Sequence, residues 1–172
     1  MHYFYRIMKR RTKILLGLLA VLVIIQFIRP AKNNGSSNAG NGPLSETVTM
    51  TPEVSAILKT SCFDCHSNKT VYPWYAEVQP VAWWLQDHVN EGKEELNFDE
   101  FAAYSPRRQY RKLEEIGDQV KEGEMPLSSY TLIHGNAKLS AEQQQTLTDW
   151  VKMARGEMEA KFPADSLKMK KR

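Results

Sequence analysis

Two thiols and an imidazole stand together in Cys62-Phe63-Asp64-Cys65-His66, and their spacing suits one piece of chemistry, the covalent attachment of a c-type haem. Cysteines three positions apart lie one helical turn apart, so each can form a thioether with a vinyl group of one macrocycle. The adjacent imidazole then reaches the iron as proximal ligand. The chain of 172 residues has only two Cys and four His, which makes a chance occurrence of this pattern a poor explanation.

Other chemistries also use a C-x-x-C pair. A structural zinc site needs a second pair of ligands at matching spacing, but no second C-x-x-C exists, and His88 and His134 are 46 residues apart. A thioredoxin-like dithiol follows a strand in a β-α-β pattern and gains nothing from the trailing His; no such strand precedes Cys62. The residues point to one covalently held haem c, with His66 as the proximal iron ligand.

The opposite face of the iron can take a Met, a second His, or nothing, and that choice separates electron transfer from ligand or peroxide chemistry. Met125 is the best candidate, because it sits in Gly123-Glu124-Met125-Pro126. There Gly ends one helix and Pro prevents another from starting at once, so a loop can aim the thioether inward. His88 and His134 are the alternatives. His88 shares an expected apolar face with Val81, Trp84 and Leu85, and His134 stands at a loop entry where it could instead bond a propionate or the backbone. Tyr72, Trp74, Trp83, Trp84, Tyr104, Tyr130 and Trp150 could wall a macrocycle, although ordinary core packing is the simpler role. Arg107, Arg108 and Arg111 could pair with propionates, but a solvated helix face explains them more simply.

The elements that must position these groups are helical. Thr51-Pro52-Glu53 reads as an N-cap, a first-turn proline and an acid, opening a helix that delivers the chain to Cys62. Pro80 restarts a helix to about Glu91. Ser105-Pro106 caps a third, with Tyr110, Leu113, Ile116 and Val120 as its apolar stripe and Gly123 as its end. Ser140 to Gln143 forms a capping box for a fourth, with Leu147, Trp150, Val151 and Ala154 inward and Gly156 as its stop. No convincing strand and no internal repeat occurs, so the expected class is small and all-α.

Residues 1–13 are a basic flank, with Arg6, Lys9, Arg10, Arg11 and Lys13 and no acid, and an apolar run follows within 14–30. The 15 positions Ile14 to Ile28 would span about 22 Å as a helix, against about 30 Å of hydrocarbon, with Lys13 and Arg29 able to snorkel. Arg29-Pro30 stands where a cleavage site would be, so the expectation is an uncleaved single N-terminal transmembrane helix acting as signal anchor. It would place the chain in a bacterial inner membrane with its C-terminal domain in the periplasm, where c-type haem is attached. Residues 31–44 read as a flexible linker, 45–162 as the haem-binding domain and 163–172 as a basic tail.

The formal net charge of +3 hides an acidic body: residues 31–165 hold 13 Lys/Arg against 20 Asp/Glu. Nothing resembles the basic, aromatic-interleaved face of a nucleic-acid binder, and that class is excluded.

From about Thr51 to Met153 the chain resembles the c-type haem-binding domain family, through CFDCHSNKT, YPWY, ELNF, and EGEMPLSSYTLIH before LSAEQQQTLTDW. The resemblance implies a small, cytochrome c-like helical domain with Cys62 and Cys65 as attachment points and His66 as axial ligand. The order of helix, haem motif, Met loop and C-terminal helix is similar to that of cytochromes c and supports Met125. The expected function is electron transfer between redox partner proteins rather than catalysis. A haem peroxidase, or a redox or gas sensor with an open or displaceable distal position, is the alternative.

Overall fold

The computed structural model describes residues 9–35 and 43–167. The helices are α1 (Arg10–Ile25), α2 (Pro43–Thr47), α3 (Pro52–Ser61), α4 (Phe63–His66), α5 (Val81–Glu95), α6 (Pro106–Glu122), α7 (Ser128–Thr131), α8 (Ala141–Lys161) and α9 (Ala164–Leu167). Short 3-10 turns cover Trp74–Glu77, Phe98–Ala103 and Gly135–Ala137. Among the described residues no strand forms, and β-type pairing is confined to a single antiparallel bridge from Asn34 to Lys69. The all-α expectation therefore holds for the body.

The chain divides into two compact units. The first holds the described residues up to Lys32 together with Tyr72–His88, and the second holds Asn33–Val71 and the described chain from Val89 onward.

In the first unit, α1 is apolar but stops at Ile25. Gln26 then pairs with Gln79 in both directions: its Nε2 donates to the Gln79 carbonyl at 3.3 Å and its Oε1 accepts from the Gln79 N–H at 2.9 Å. The Ile28 carbonyl accepts from Gln79 Nε2 at 3.0 Å and Trp83 Nε1 at 2.9 Å. These bonds hold residues 26–28 as turns rather than as another helical turn. At 16 residues, α1 is about 24 Å long. Among the described residues no helix is long and apolar enough to cross a membrane. That overturns the expected transmembrane signal anchor, and with it the single-pass inner-membrane placement and the periplasmic domain inferred from it.

The second unit is built around one core, in which α6 packs on α8 and α9, α3 on α8, and α2 on the Phe98–Ala103 turn. Leu58, Phe101, Leu113, Leu147 and Ala154 are fully buried there, and each large apolar side chain so placed contributes about 1.5–3 kcal/mol. The helix starts follow the local chemistry. Thr51 Oγ1 accepts from Val54 N, Ser105 Oγ from Arg108 N, and Ser140 and Gln143 cap each other reciprocally. Gly156 does not stop α8, which continues to Lys161 and is capped by Phe162, the residue before Pro163, where the proline ring disfavours helical backbone. A glycine inside a helix costs only about 1 kcal/mol, which the packing of Trp150, Ala154 and Met158 outweighs.

Helix α5 turns a different face inward from the one expected. Its buried positions are Ala82, Gln86 and Val89, while Val81 and Trp84 are exposed and His88 is half-buried. The reason is polar: Gln86 accepts the Tyr72 hydroxyl at 2.6 Å, which fixes that side of the helix inward.

Residues 36–42 of the expected linker, the first eight residues of the basic flank and the last five of the basic tail lie outside the described residues. Asn33, at the start of that linker, is buried and donates to the Ser67 carbonyl at 2.9 Å and Thr70 Oγ1 at 3.0 Å.

Candidate functional site

The C-x-x-C-H stretch is folded as a single helical turn following a break. Helix α3 ends at Ser61, Cys62 leaves the helical region at φ −129°, and the N–H groups of Cys65 and His66 then both donate to the Cys62 carbonyl, at 3.2 and 3.0 Å. The turn sets the thiols one helical turn apart with the imidazole next to the second. Both cysteines are free and half-buried.

Polar bonds hold the turn on both sides. Asp64 accepts from Val71 N at 3.1 Å and from the Tyr130 hydroxyl at 2.8 Å, while its carbonyl accepts Thr70 Oγ1 at 2.6 Å. Beyond His66, Ser67 is wholly buried and Asn68 donates its N–H to Asp99 Oδ2 at 2.8 Å. Asn97 Nδ2 reaches Asn68 Oδ1 at 2.8 Å. Asn68 thus clamps the turn against the segment after α5, while Asp64 ties it to Thr70, Val71 and Tyr130.

The orientation of His66 follows from one acceptor. Its Nδ1 lies 2.9 Å from the Leu96 carbonyl, which can only accept, so Nδ1 carries the proton and Nε2 keeps its lone pair. Burial pushes the imidazole pKa down, partly offset by the Leu96 and Gly92 carbonyls, and the ring is neutral at physiological pH. A neutral imidazole with Nδ1–H bonded to a backbone carbonyl is the form that ligates a metal through Nε2. Phe98 braces it, with ring centroids 6.1 Å apart in an edge contact, and is itself stacked on Phe63 at 5.2 Å.

Burial also acts on the thiols. It pushes Cys62 up to about 12, with the charge of Cys65 adding to the effect, and Cys65 up to about 11, with Asp64 adding. Both are protonated at neutral pH, the opposite of the lowered thiolate pKa that a dithiol oxidoreductase needs.

Cys62 and His66 open onto a cavity of about 300 Å³, inside the range of cofactor sites. Its apolar walls are Leu96, Phe98, Ile116, Val120, Pro126 and Leu139. Met125 lines the same cavity. It gets there because α6 ends in a left-handed glycine, Gly123 at φ 74°, with Gly123 N bonded to the Val120 carbonyl and Glu124 N to the Gln119 carbonyl. Those bonds reverse the chain, and Met125 N then also bonds the Gln119 carbonyl at 3.2 Å.

Cys65 is not a wall of the cavity; its carbonyl faces Gly92 on α5. A Cβ at Gly92 would lie 2.8 Å from that carbonyl oxygen, so only glycine lets α5 pass the haem-motif turn this closely. Gly92→Ala is expected to force the two backbones apart, lowering stability by about 1–3 kcal/mol and reducing haem retention. Denaturant melts and the haem-to-protein absorbance ratio check it, and an unchanged melt would contradict the close approach.

The two alternative histidines lie outside the cavity. His88 Nδ1 is 2.9 Å from the Trp84 carbonyl one turn earlier on its own helix, and His134 stacks on Tyr130 at 4.4 Å. The aromatic wall is Phe98 rather than any of the Trp and Tyr residues considered from sequence; Trp150, for example, is buried in the core with its Nε1 on the Thr49 carbonyl at 2.9 Å. Sequence reasoning also missed Lys112, Glu95 and Glu115, which supply the cavity's charges. Lys112 sits on the buried side of α6 beside Leu113, although its type suggests a solvated face.

The model of the haem-binding domain family matches residues 20–153, more than half of the chain. The chain belongs to the haem-binding domain family. No curated protein and no solved structure matches it. As a haem-binding protein it offers a cavity whose residues fit the group: an apolar wall, a neutral imidazole with a free nitrogen, a thiol at the rim and a thioether in the same lining.

Proposed function

We propose that this haem-binding protein holds a single c-type haem through thioethers from Cys62 and Cys65, ligates its iron with His66 and Met125, and serves as an electron carrier between protein partners. The observation that carries this reading is the convergence of Cys62 and His66, from the one turn after α3, with Met125, from the loop after α6, on a single cavity. Haem supplies an iron that changes oxidation state by one electron, and a His/Met pair favours its reduced form relative to two nitrogen ligands.

The chain's own residues have distinct tasks in this scheme. Leu96 holds the His66 proton on Nδ1, so that Nε2 stays available in both oxidation states. The Gly123 reversal presents Met125, and the apolar walls would limit the access of water to a bound iron. For the peroxidase alternative, the two histidines considered as acid/base groups are not in the cavity wall: His88 bonds the Trp84 carbonyl and His134 stacks on Tyr130.

The test is the ferric absorption spectrum after expression with haem-maturation machinery. Met125→Ala is expected to convert a low-spin spectrum to a high-spin one and to lower the reduction potential, while His88→Ala and His134→Ala leave both unchanged. A low-spin spectrum surviving in Met125→Ala overturns the His/Met assignment.

A further inference from the structure

The charged part of the cavity wall is out of balance with the rest. Among the described residues Lys112 is the one buried Lys or Arg, with its side chain only 7% exposed, and Nζ is 3.1 Å from Glu95 Oε2 and 2.6 Å from Glu115 Oε2. The two carboxylates differ from it in kind: their side chains are 76% and 44% exposed, and Glu95 is the last residue of α5. A cation fixed in the wall is thus matched by anions that reach it from water.

Swinging a largely exposed Glu back into solvent costs little, since exposed ion pairs are worth only about 0–1 kcal/mol. Leaving a buried ammonium without any counter-ion costs far more. The site can therefore trade one carboxylate for another but cannot do without one. A haem bound against His66 brings two propionate carboxylates, and Lys112 lines the same cavity as His66.

We propose that Lys112 is the propionate-binding residue of this protein, with Glu95 holding its place until the haem carboxylate displaces it. Three carboxylates around one ammonium would be a net repulsive set, so Glu95, the more exposed of the two, would give way to a propionate. Glu115, three residues on along α6, remains within reach of the same ammonium. The inference rests on the cavity being the haem site, though not on covalent attachment or on Met125 as ligand.

Mesohaem and its dimethyl ester provide the test, because ethyl groups replace the vinyls and binding to the full chain is reversible. The wild type is expected to bind mesohaem at least tenfold more tightly than the ester, as charge-assisted hydrogen bonds to carboxylates are worth about 1.5–3 kcal/mol. Lys112→Met should abolish that preference and Lys112→Arg should keep most of it. Glu95→Gln, at an exposed position where folding is not at risk, should widen it about threefold by removing the competing carboxylate. A preference that Glu95→Gln leaves unchanged, or one that persists in folded Lys112→Met, overturns the proposal. A high-spin spectrum of the wild-type mesohaem complex would instead count against the His66/Met125 assignment, and the acid-to-ester preference would still be measurable.

Discussion

Replacement of both Cys62 and Cys65 by Ala is expected to abolish covalent haem: after expression in a maturation-competent host, the denatured chain should carry none, where the wild type retains it fully. Each thiol forms one thioether in the proposed attachment, so either single variant should keep one bond and a reduced yield. The folded body should survive, because both side chains are small and only half-buried, and point changes of this kind cost about 0.5–3 kcal/mol. Circular dichroism would show the helices intact while a haem stain of a denaturing gel shows the loss. Haem that remains attached to the double variant would refute thioether attachment at these positions. A pigmented but extractable double variant would separate the two statements, since the family's haem binding would stand while covalency moved from retention to these two thiols.

Phe98→Ala should have the largest effect on stability of any change near the site, about 3–5 kcal/mol. The ring is 2% exposed, stacks on Phe63 in the haem-motif turn, and touches the edge of His66 from the 3-10 turn that follows α5. Its removal opens a void between the core and the cavity, so the melt should shift and the imidazole should lose its brace. Chemical denaturation gives the first quantity, and the sharpness and intensity of the haem spectrum give the second. Leu132→Ala, at an 84% exposed position, serves as the control and should change neither. A loss below about 1 kcal/mol for Phe98→Ala would mean the ring is not a structural link between core and site.

Both predictions concern a turn that sequence alone located, in surroundings that it did not. The C-x-x-C-H pattern names a cofactor because thioether spacing and imidazole adjacency are local facts, fixed over five residues. Helix starts were legible for the same reason: an N-cap is a contact over three residues, and Thr51, Ser105 and Ser140 each make it. The Gly123 reversal, which brings Met125 to the cavity, is equally local.

Long-range pairings were not legible. An apolar run of 15 residues reads as a membrane anchor by hydropathy, yet the helix ends at Ile25 because Gln26 and Ile28 bond to Gln79 and Trp83, some fifty residues away. Periodicity on α5 chose His88 as inward, but the Tyr72 hydroxyl on Gln86 turns the helix the other way. Composition placed propionate partners, if any, among exposed arginines, while the buried cation is Lys112, held between Glu95 and Glu115.

The sequence by itself determined the haem class of cofactor and the all-helical body, because each depends on spacing within a turn or two of chain. Tertiary structure alone decided that α1 is too short to span a membrane, that Leu96 sets the His66 tautomer, that Gly92 must lack a side chain, and that the cavity carries a buried lysine. Those facts belong to pairs of segments far apart in the chain, whose meeting is fixed by packing and hydrogen bonding and leaves no periodic trace in either segment.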